Sequence, residues 1–270
     1  MFFLFSLLQA QAEQFGTVTS AISFNRIGLS LVGQHGLYVP KWEKEDSVLF
    51  QNTGIRFIGE INTSPSFARA GGRIILNPIA VLKIQGYGFA DYYFGNFQTV
   101  VSYDSLSANY GTNSEIADYV ESEKRQYSNT GWHAGGNAVL QAKVKNIVIL
   151  SSFDYSHWNI AVPEGDNGVG FFEREKEVML SYGGDQIFEN NSLLLYQIDK
   201  DEERFMRVGS FTTLRKSLIA ADTMLRTGLL WSLQTSQNKS HIVMLQGYLN
   251  DRSYTSIFPP YIAYAYKYTY

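Results

Sequence analysis

The sequence predicts an all-β protein, a transmembrane antiparallel up-and-down β-barrel of about twelve strands. Three observations predict this fold: apolar and polar residues alternate with a two-residue period, the alternating segments are long, and aromatic residues recur at their ends. A strand that crosses a bilayer needs roughly 9–11 residues, and the proposed segments reach that length. After the N-terminal run, no stretch approaches the roughly 18 consecutive apolar residues of a membrane-spanning helix. A membrane would therefore have to be crossed by strands.

The composition is poor in charge and rich in aromatic residues. Charged residues make up 17% of the 270-residue chain and aromatic residues 15%, whereas soluble domains usually carry roughly 25% charged residues. The formal net charge is -3 and no basic cluster is visible, which argues against a nucleic-acid partner. The chain contains no cysteine, so disulfide bonds are excluded, which is compatible with export.

The N-terminus has the pattern of a secretory signal peptide. Phe2 to Leu8 form an apolar run, and Ala10-Gln11-Ala12 has the small-x-small pattern that signal peptidase cuts. We therefore expect a signal peptide over 1–12 and a single barrel domain over 13–270. No Lys or Arg precedes the apolar run, which leaves open a truncated leader or a buried N-terminal strand or helix.

The alternation is clear between residues 80 and 94. Leu82, Ile84 and Ala90 share one face of an extended chain, while Lys83 and Asp91 share the other. Helical periodicity does not compete here or in the similar windows. The pattern predicts strands at 14–24, 26–38, 49–62, 67–77, 80–94, 128–142, 146–160, 187–199, 203–215, 221–235, 239–252 and 259–270.

The connections divide into short turns and two long loops. Those near Asn77-Pro78 and 143–146 are short, whereas those near 95–127 and 161–186 are long. Membrane barrels of bacteria have short periplasmic turns and long extracellular loops, so both long loops are expected outside the cell. This placement of both long loops on one side holds only if 171–186 is a loop. "EKEVMLSYGG" could instead be another strand and 14–24 a tail or plug, which keeps ten or fourteen strands open.

Aromatic residues at strand ends favour a membrane barrel over a soluble fold. A soluble β-sandwich or a small ligand-binding barrel also alternates, but such folds rarely need strands this long. Tyr92, Phe94, Trp132, Trp158 and Trp231 lie near the ends of proposed strands, as in the interfacial girdles of membrane barrels.

The last ten residues, "YIAYAYKYTY", place tyrosine at alternate positions of a strand. Tyr264, Tyr266, Tyr268 and Tyr270 share one face. Together with the signal-like start and the alternating strands, this terminal aromatic strand resembles that of bacterial outer-membrane β-barrel proteins, a porin-like class. The resemblance covers most of the mature chain in architecture and identifies no particular family; the glycine often found in such a strand is replaced by alanine.

That resemblance implies a location and partners. It implies residence in the bacterial outer membrane, contact with lipid and lipopolysaccharide, and recognition of the four terminal tyrosines by the barrel assembly machinery. We expect Tyr270→Ser to impair membrane assembly.

Charged residues on the inward faces suggest a passive channel for small solutes. Arg56, Arg69, Arg73 and Lys83 would form a basic stripe on adjacent strands, which predicts a preference for anions. Alternatively, long side chains could meet across a narrow barrel and close it with salt bridges, leaving a barrel that anchors surface loops for a partner. The residues predicted to line the channel are Arg56, Glu60, Arg69, Arg73, Lys83, Asp91, Asp154, Asp222 and Arg226.

An enzyme is not predicted, although a lipid hydrolase is the main alternative. Outer-membrane phospholipase A is similar in size and strand number, and its signature places a Ser two positions after a His on a membrane-facing strand. None of the four histidines has that spacing. His133 could approach Ser152, Asp154 or Ser156 on the next strand if the register allows it, in a nucleophile-and-base arrangement.

No cofactor or metal is predicted. The chain has no HExxH motif, no cysteine and no carboxylates at EF-hand spacing. The acidic residues of the two long loops, such as Glu173 and Glu177, are expected to be solvated, with divalent cations bridging to lipopolysaccharide as the alternative.

Overall fold

Twelve antiparallel strands form a closed barrel in the computed structural model, which describes residues 12–25, 28–44, 46–199, 201, 203–254 and 260–270. Residues 1–11 of the predicted signal peptide lie outside this part of the chain. No helix within the described ranges is long and apolar enough to cross a membrane.

Each barrel strand pairs with its neighbours in the wall, and the first strand pairs with the last. The wall strands are β1 (Glu13–Phe24), β2 (Gly28–Pro40), β3 (Gly54–Thr63), β4 (Phe67–Ile79), β5 (Leu82–Phe94), β7 (Ser128–Val144), β8 (Ile147–Ile160), β11 (Asp185–Asp199), β12 (Phe205–Ser217), β13 (Thr223–Ser236), β14 (Lys239–Asn250) and β15 (Tyr261–Thr269). The predicted number of twelve is confirmed, and the segment proposed at 14–24 is a wall strand.

The remaining regular elements come from the connections. A three-stranded sheet consists of β6 (Val101–Tyr103), β9 (Gly170–Glu173) and β10 (Val178–Ser181), and the helix α1 (Asn113–Glu123) precedes β7. A short 3-10 helix covers Val48–Phe50. The ambiguous segment "EKEVMLSYGG" therefore does contain a strand, but β10 belongs to this small sheet and not to the wall.

The outer face of the wall is apolar, as the alternation predicted. Ile61, Leu194 and Leu229 are 64%, 53% and 60% exposed, and other large apolar side chains surround them. Water would disfavour so much exposed apolar surface, whereas lipid does not. Glu60, the inward neighbour of Ile61, is buried, so consecutive residues of one strand face opposite media.

Both long loops lie at the same end of the barrel. The start of β1 and the end of β15 lie at the opposite end. The connections at this loop end are 25–27, 64–66, 95–127, 161–184, 218–222 and 251–260. Those at the opposite terminal end are 41–53, 80–81, 145–146, 200–204 and 237–238. The predicted division into long loops on one side and mostly short turns on the other is therefore present.

The last residue closes the seam between β1 and β15 at the terminal end. Tyr270 and Gly16 exchange two backbone hydrogen bonds of 2.9 and 3.0 Å. The Tyr270 ring lies over Gly16, where an added Cβ atom would meet the ring at 2.2 Å. Glycine is needed here because the ring takes the space of a side chain.

The aromatic girdle is confirmed in part. Tyr92, Phe94 and Trp132 are exposed on the outer face near the loop end, as expected. Trp158 was predicted to join them, but this prediction is wrong. The Trp158 side chain is only 2% exposed. It lies two residues after Ser156, which is also buried, so both side chains point to the inward face of β8.

Candidate functional site: the lumen and its plug

The small sheet and α1 fill the loop end of the barrel, and we call these elements the plug. Phe171 and Leu180 of the plug pack against Tyr93, Trp158 and Ile187 of the wall. All five side chains are at most 2% exposed. Burying a large apolar side chain contributes about 1.5–3 kcal/mol, so this cluster holds the plug firmly in the mouth of the barrel.

Helix α1 covers the side of the small sheet. Ile116 of α1 is fully buried in a cluster with Phe172 and Met179 of the sheet. The helix begins with a capping box, in which the backbone N–H of Thr112 donates to Glu115 Oε2 at 2.7 Å. A compact helix therefore supports the sheet from a connection for which the sequence predicted only a long loop.

Ion pairs fasten the plug to neighbouring loops. Arg125 lies 2.6 Å from Asp104 and 2.8 Å from Asp166, which joins the two long loops. Asp222 accepts a 2.7 Å hydrogen bond from the Met179 N–H and pairs with Arg252 at 2.9 Å. Asp222 was predicted on a strand that lines the channel; it lies instead in the turn before β13, where it anchors the plug.

The turn between β9 and β10 points its charges at the wall, and we call residues 173–177 the plug tip. Glu173 C=O accepts from Glu177 N–H at 2.7 Å, a single α-turn in which Glu177 has a φ of 59°. Two carboxylates of the tip reach wall arginines: Glu175 lies 2.5 Å from Arg69, and Glu177 lies 2.9 Å from Arg226.

The tip also binds a third side of the wall. Lys176 Nζ lies 3.2 Å from Glu189 on β11, and Arg215 on β12 lies 2.9 Å from the same carboxylate. Arg215 Nη1 donates to the carbonyls of Glu175 and Lys176 at 3.0 and 3.1 Å. The tip is thus held by β4, β11, β12 and β13, while it faces small side chains of β1 and β15 across a cavity of about 210 Å³.

The predicted basic stripe is divided by these contacts. Arg69 pairs with Asp91 as well as with Glu175, and Arg73 pairs with Glu60 at 2.5 Å. Four of the predicted channel-lining residues therefore form pairs with one another inside the barrel. The two arginines of β4 do not present free positive charge along the lumen.

Arg56 and Lys83 remain as unneutralised cations at the terminal end. They line a cavity of about 700 Å³, which we call the vestibule, together with Arg207. The Arg56 guanidinium lies 4.9 Å from the centre of the Tyr38 ring. Within the described part of the chain, neither Arg56 nor Lys83 has a carboxylate at ion-pair distance.

The remaining predicted residues also face the interior. Asp154 on β8 accepts from the Tyr87 hydroxyl at 2.7 and 2.9 Å. Arg226 on β13 is 4% exposed, and its guanidinium lies over the rings of Tyr248 and Tyr261 as well as beside Glu177. The structure brings most of the predicted set into one interior, while the function of those residues stays a prediction.

Sequence reasoning missed the residues of the plug and their partners on the wall. The acidic loop residues were expected to be solvated, but Glu173 and Glu177 are 2% and 3% exposed, so this expectation is wrong for them. The apolar run that follows the tip, Val178 to Leu180, was the one signal of burial in that loop. The missed residues are Glu175, Lys176, Glu177, Glu189 and Arg215.

His133 does not form a nucleophile and base with Ser152 or Ser156. His133 Nδ1 lies 2.7 Å from Asp91 Oδ2, and its ring stacks on Trp158 at a centroid distance of 4.1 Å. Ser156 instead accepts from the indole N–H of Trp158 at 2.9 Å. In the described ranges no serine hydroxyl bonds to His133, and no group of three or more potential ligands could hold a metal ion.

The closed barrel, apolar outside and charged inside, with long loops at one end, defines a bacterial outer-membrane β-barrel. The chain therefore belongs in the bacterial outer membrane, as the sequence predicted. In this class the loop end faces the cell exterior and the terminal end faces the periplasm.

Comparisons with known proteins find solved structures at low sequence identity. No family model and no curated protein matches the sequence. The β domain of the Bordetella autotransporter BrkA aligns over 96% of this chain and 99% of its own, with 7% identity and a TM-score of 0.46. An outer membrane channel from Pseudomonas putida F1 aligns over 95% of both chains, with 9% identity and a TM-score of 0.45. Wzi of Escherichia coli, described as a carbohydrate-binding β-barrel involved in capsule assembly, covers 98% of this chain and 86% of its own at 10% identity and a TM-score of 0.31.

Proposed function

We propose that the protein is a passive outer-membrane channel for small solutes, with a preference for anions and a plug that narrows its extracellular mouth. The observation that carries this proposal is the vestibule, a cavity of about 700 Å³ at the periplasmic end that Arg56, Lys83 and Arg207 line. Rings of one sign of charge around a pore select ions of the opposite sign.

The interior contains more space beside the plug, which supports passage rather than a solid core. Two cavities of about 210 and 170 Å³ adjoin the plug tip and share Asn62 and Glu175 in their lining. The larger one borders the small side chains of Ala21, Ala263 and Ala265. Solutes would pass between the plug tip and strands β1 and β15, since the ion pairs of the tip occupy the side toward β4, β11, β12 and β13.

The anion preference rests on a smaller set of residues than the sequence suggested. Arg69 and Arg73 are neutralised by carboxylates, so Arg56 and Lys83 are left to set the sign of the preference. We expect a bilayer containing the purified protein to show channels whose reversal potential in a salt gradient indicates anion selectivity.

Substitution identifies the residues responsible. Arg56→Gln combined with Lys83→Gln should move the reversal potential toward zero, because the vestibule loses two of its unpaired cations. Lys216→Gln, which removes an exposed charge at the loop-end part of β12, serves as the control and should leave the potential unchanged. Cation selectivity in the unmodified protein would contradict the proposed role of the vestibule, and absence of channels would contradict the channel itself.

A second candidate is a closed barrel that anchors surface loops for a partner. The ion pairs between the plug tip and three sides of the wall favour it, because they hold the mouth shut. Shortening the helical loop, by deletion of 105–123, separates the two: lost partner binding with unchanged conductance supports anchoring, and altered gating supports a channel.

A further inference from the structure

The vestibule has an apolar part that a preference for small anions leaves without a role. Val148 and Leu150 lie on the inward face of β8 and line this cavity. Val48 and Leu49 of the short 3-10 helix line it from the connection 41–53, and they are 77% and 53% exposed. Apolar side chains that stay in contact with water inside a cavity favour a ligand whose own apolar surface covers them.

Two cations of the vestibule are accessible to a ligand. The Arg56 and Lys83 side chains are half-buried and line the cavity. Neither charged group hydrogen-bonds to another described residue, and none of their nitrogen atoms is enclosed by the protein. Because no carboxylate of the described chain lies at ion-pair distance from them, both charges face the solvent of the vestibule.

Arg207 is a third cation of the lining and is partly engaged. Its Nε donates to Gln197 Oε1 at 2.9 Å, and the amide of the same glutamine donates to Asp199. Lys143, exposed on the last turn-side residues of β7, is a fourth. Within the described ranges the lining contains no Asp or Glu, so its charge is positive throughout.

We propose that the vestibule binds an organic anion with an apolar body, a monocarboxylate of medium chain length. Its carboxylate lies at Arg56 and Lys83, and its hydrocarbon chain lies against Val48, Leu49 and the apolar side chains of β8. A carboxylate forms charge-assisted hydrogen bonds with both cations, whereas a small inorganic anion would leave the apolar side uncovered.

The size of the cavity fits such a ligand. Its volume is about 700 Å³, and sites for small organic molecules measure roughly 300–1,000 Å³ with a mostly apolar lining and a few polar groups. The assignment names a solute class for the proposed channel and rests on that function in this respect, but binding can be measured without conduction.

The test compares hexanoate, acetate and hexylammonium by calorimetric titration of the folded protein in lipid nanodiscs, with the heat of protein-free nanodiscs subtracted. Hexanoate should bind at least about tenfold more tightly than acetate, because each buried methylene group contributes up to about fourfold. It should exceed hexylammonium by at least about tenfold, because the cations repel the ammonium group. Equal affinity for hexanoate and acetate, equal affinity for hexanoate and hexylammonium, or no binding of hexanoate would overturn the proposal.

Serine substitutions test the apolar contact separately from the charge. Val48→Ser combined with Leu49→Ser should weaken hexanoate binding about fivefold or more and leave acetate binding unchanged. Both side chains are exposed, so the barrel should fold as before. Leu218→Ser combined with Ile219→Ser alters an exposed apolar pair at the loop end and is the matched control, which should keep the affinity for hexanoate. Unchanged hexanoate affinity in the first variant would overturn the apolar contact.

Arg56→Gln tests the position of the carboxylate. The affinities for hexanoate and acetate should fall by a similar factor of about ten, since both ligands lose the same charged hydrogen bond. The preference for hexanoate over acetate should remain, because the apolar lining is unchanged. Unaltered hexanoate affinity in this variant would overturn the placement of the carboxylate at Arg56.

The outcomes also distinguish this inference from the proposed function. Hexanoate binding without ion conductance supports the vestibule site and contradicts the channel. Anion-selective conductance with equal affinity for hexanoate and acetate supports the channel and contradicts the site for an apolar anion.

Discussion

The two ends of the lumen carry similar charged side chains in opposite states of pairing. At the loop end the plug tip brings Glu175 and Glu177 to Arg69 and Arg226. At the terminal end the connection 41–53 reaches the cavity through Val48 and Leu49, but Arg56 and Lys83 line this vestibule with no carboxylate at ion-pair distance among the described residues. A charge on a barrel strand thus acquires its role from what a loop places opposite it. One wall therefore provides a closed end and a charged end.

The largest expected effect comes from breaking the most buried pair of the closed end. Glu177→Gln leaves Arg226 without its carboxylate, and both side chains are 4% exposed. Loss of one partner of a buried ion pair costs about 3–5 kcal/mol. We expect the tip to leave the wall, with more frequent openings in single-channel records and a lower thermal unfolding midpoint.

Glu175→Gln is the matched control for that change. The Glu175 side chain is 39% exposed, and Arg69 keeps Asp91 as a partner. Because Glu175 reaches solvent and Arg69 is left with a carboxylate, the effect should be smaller than that of Glu177→Gln. If both variants behaved alike, burial of the tip pairs would not be what holds the plug.

An intermediate effect is expected from pH, through Glu173 of the plug tip. Burial, and then the neighbouring carboxylate of Glu175, raises the pKa of Glu173 from 4.5 to about 7. A raised carboxyl pKa favours the docked state while the group is protonated, and this stabilisation is lost as pH rises from about 4.5 through 7. Channels should therefore open more often at pH 8 than at pH 5.

Glu173→Gln tests the assignment of that pH dependence. Glutamine cannot ionise, so the opening frequency of the variant should no longer rise between the two pH values. A pH response of unchanged size in the variant would mean that another group is responsible.

The smallest effect is expected at the seam between β1 and β15, at the terminal end. Tyr270→Ser removes the ring over Gly16, a cross-strand contact of the kind that contributes about 0.2–1 kcal/mol. The folded barrel should be only slightly less stable, while insertion into the membrane in cells should fall if the terminal tyrosine is part of the assembly signal.

Tyr266→Ser, on the same face but not at the terminus, is the comparison for Tyr270→Ser. We expect Tyr266→Ser to lower the amount of this protein in the outer membrane less than Tyr270→Ser does, as measured by fractionation and immunoblot. Normal membrane levels for Tyr270→Ser would remove the terminal residue from the assembly signal.

Much of the wall could be predicted because its cause is local. Alternation along β5 decides that Lys83 and Asp91 face inward and Ile84 outward, since a strand has only two faces. The tyrosine column of β15 follows the same rule, with Tyr264 and Tyr268 exposed and Ala263 buried. Both predictions depended only on residues next to each other in sequence.

The plug could not be predicted because its contacts are distant in sequence. Arg69 meets Glu175 across 106 residues, and no periodicity links the two. The error at Trp158 has a different cause, because local alternation already places it on the face of Asp154, which was predicted to point inward. Its position near a strand end resembles that of a girdle residue, and the prediction followed that resemblance instead of the alternation.

The most direct test of the account is the single-channel conductance of a variant in which residues 174–177 are replaced by Gly-Ser-Gly-Ser. Its control carries a Gly-Ser replacement of 237–238, a turn at the periplasmic end. The plug-tip variant should conduct more than the unmodified protein and keep its anion preference, because the closed end loses its ion pairs and the vestibule is untouched. Equal conductance in the variant and the unmodified protein would contradict the claim that the plug tip narrows this barrel.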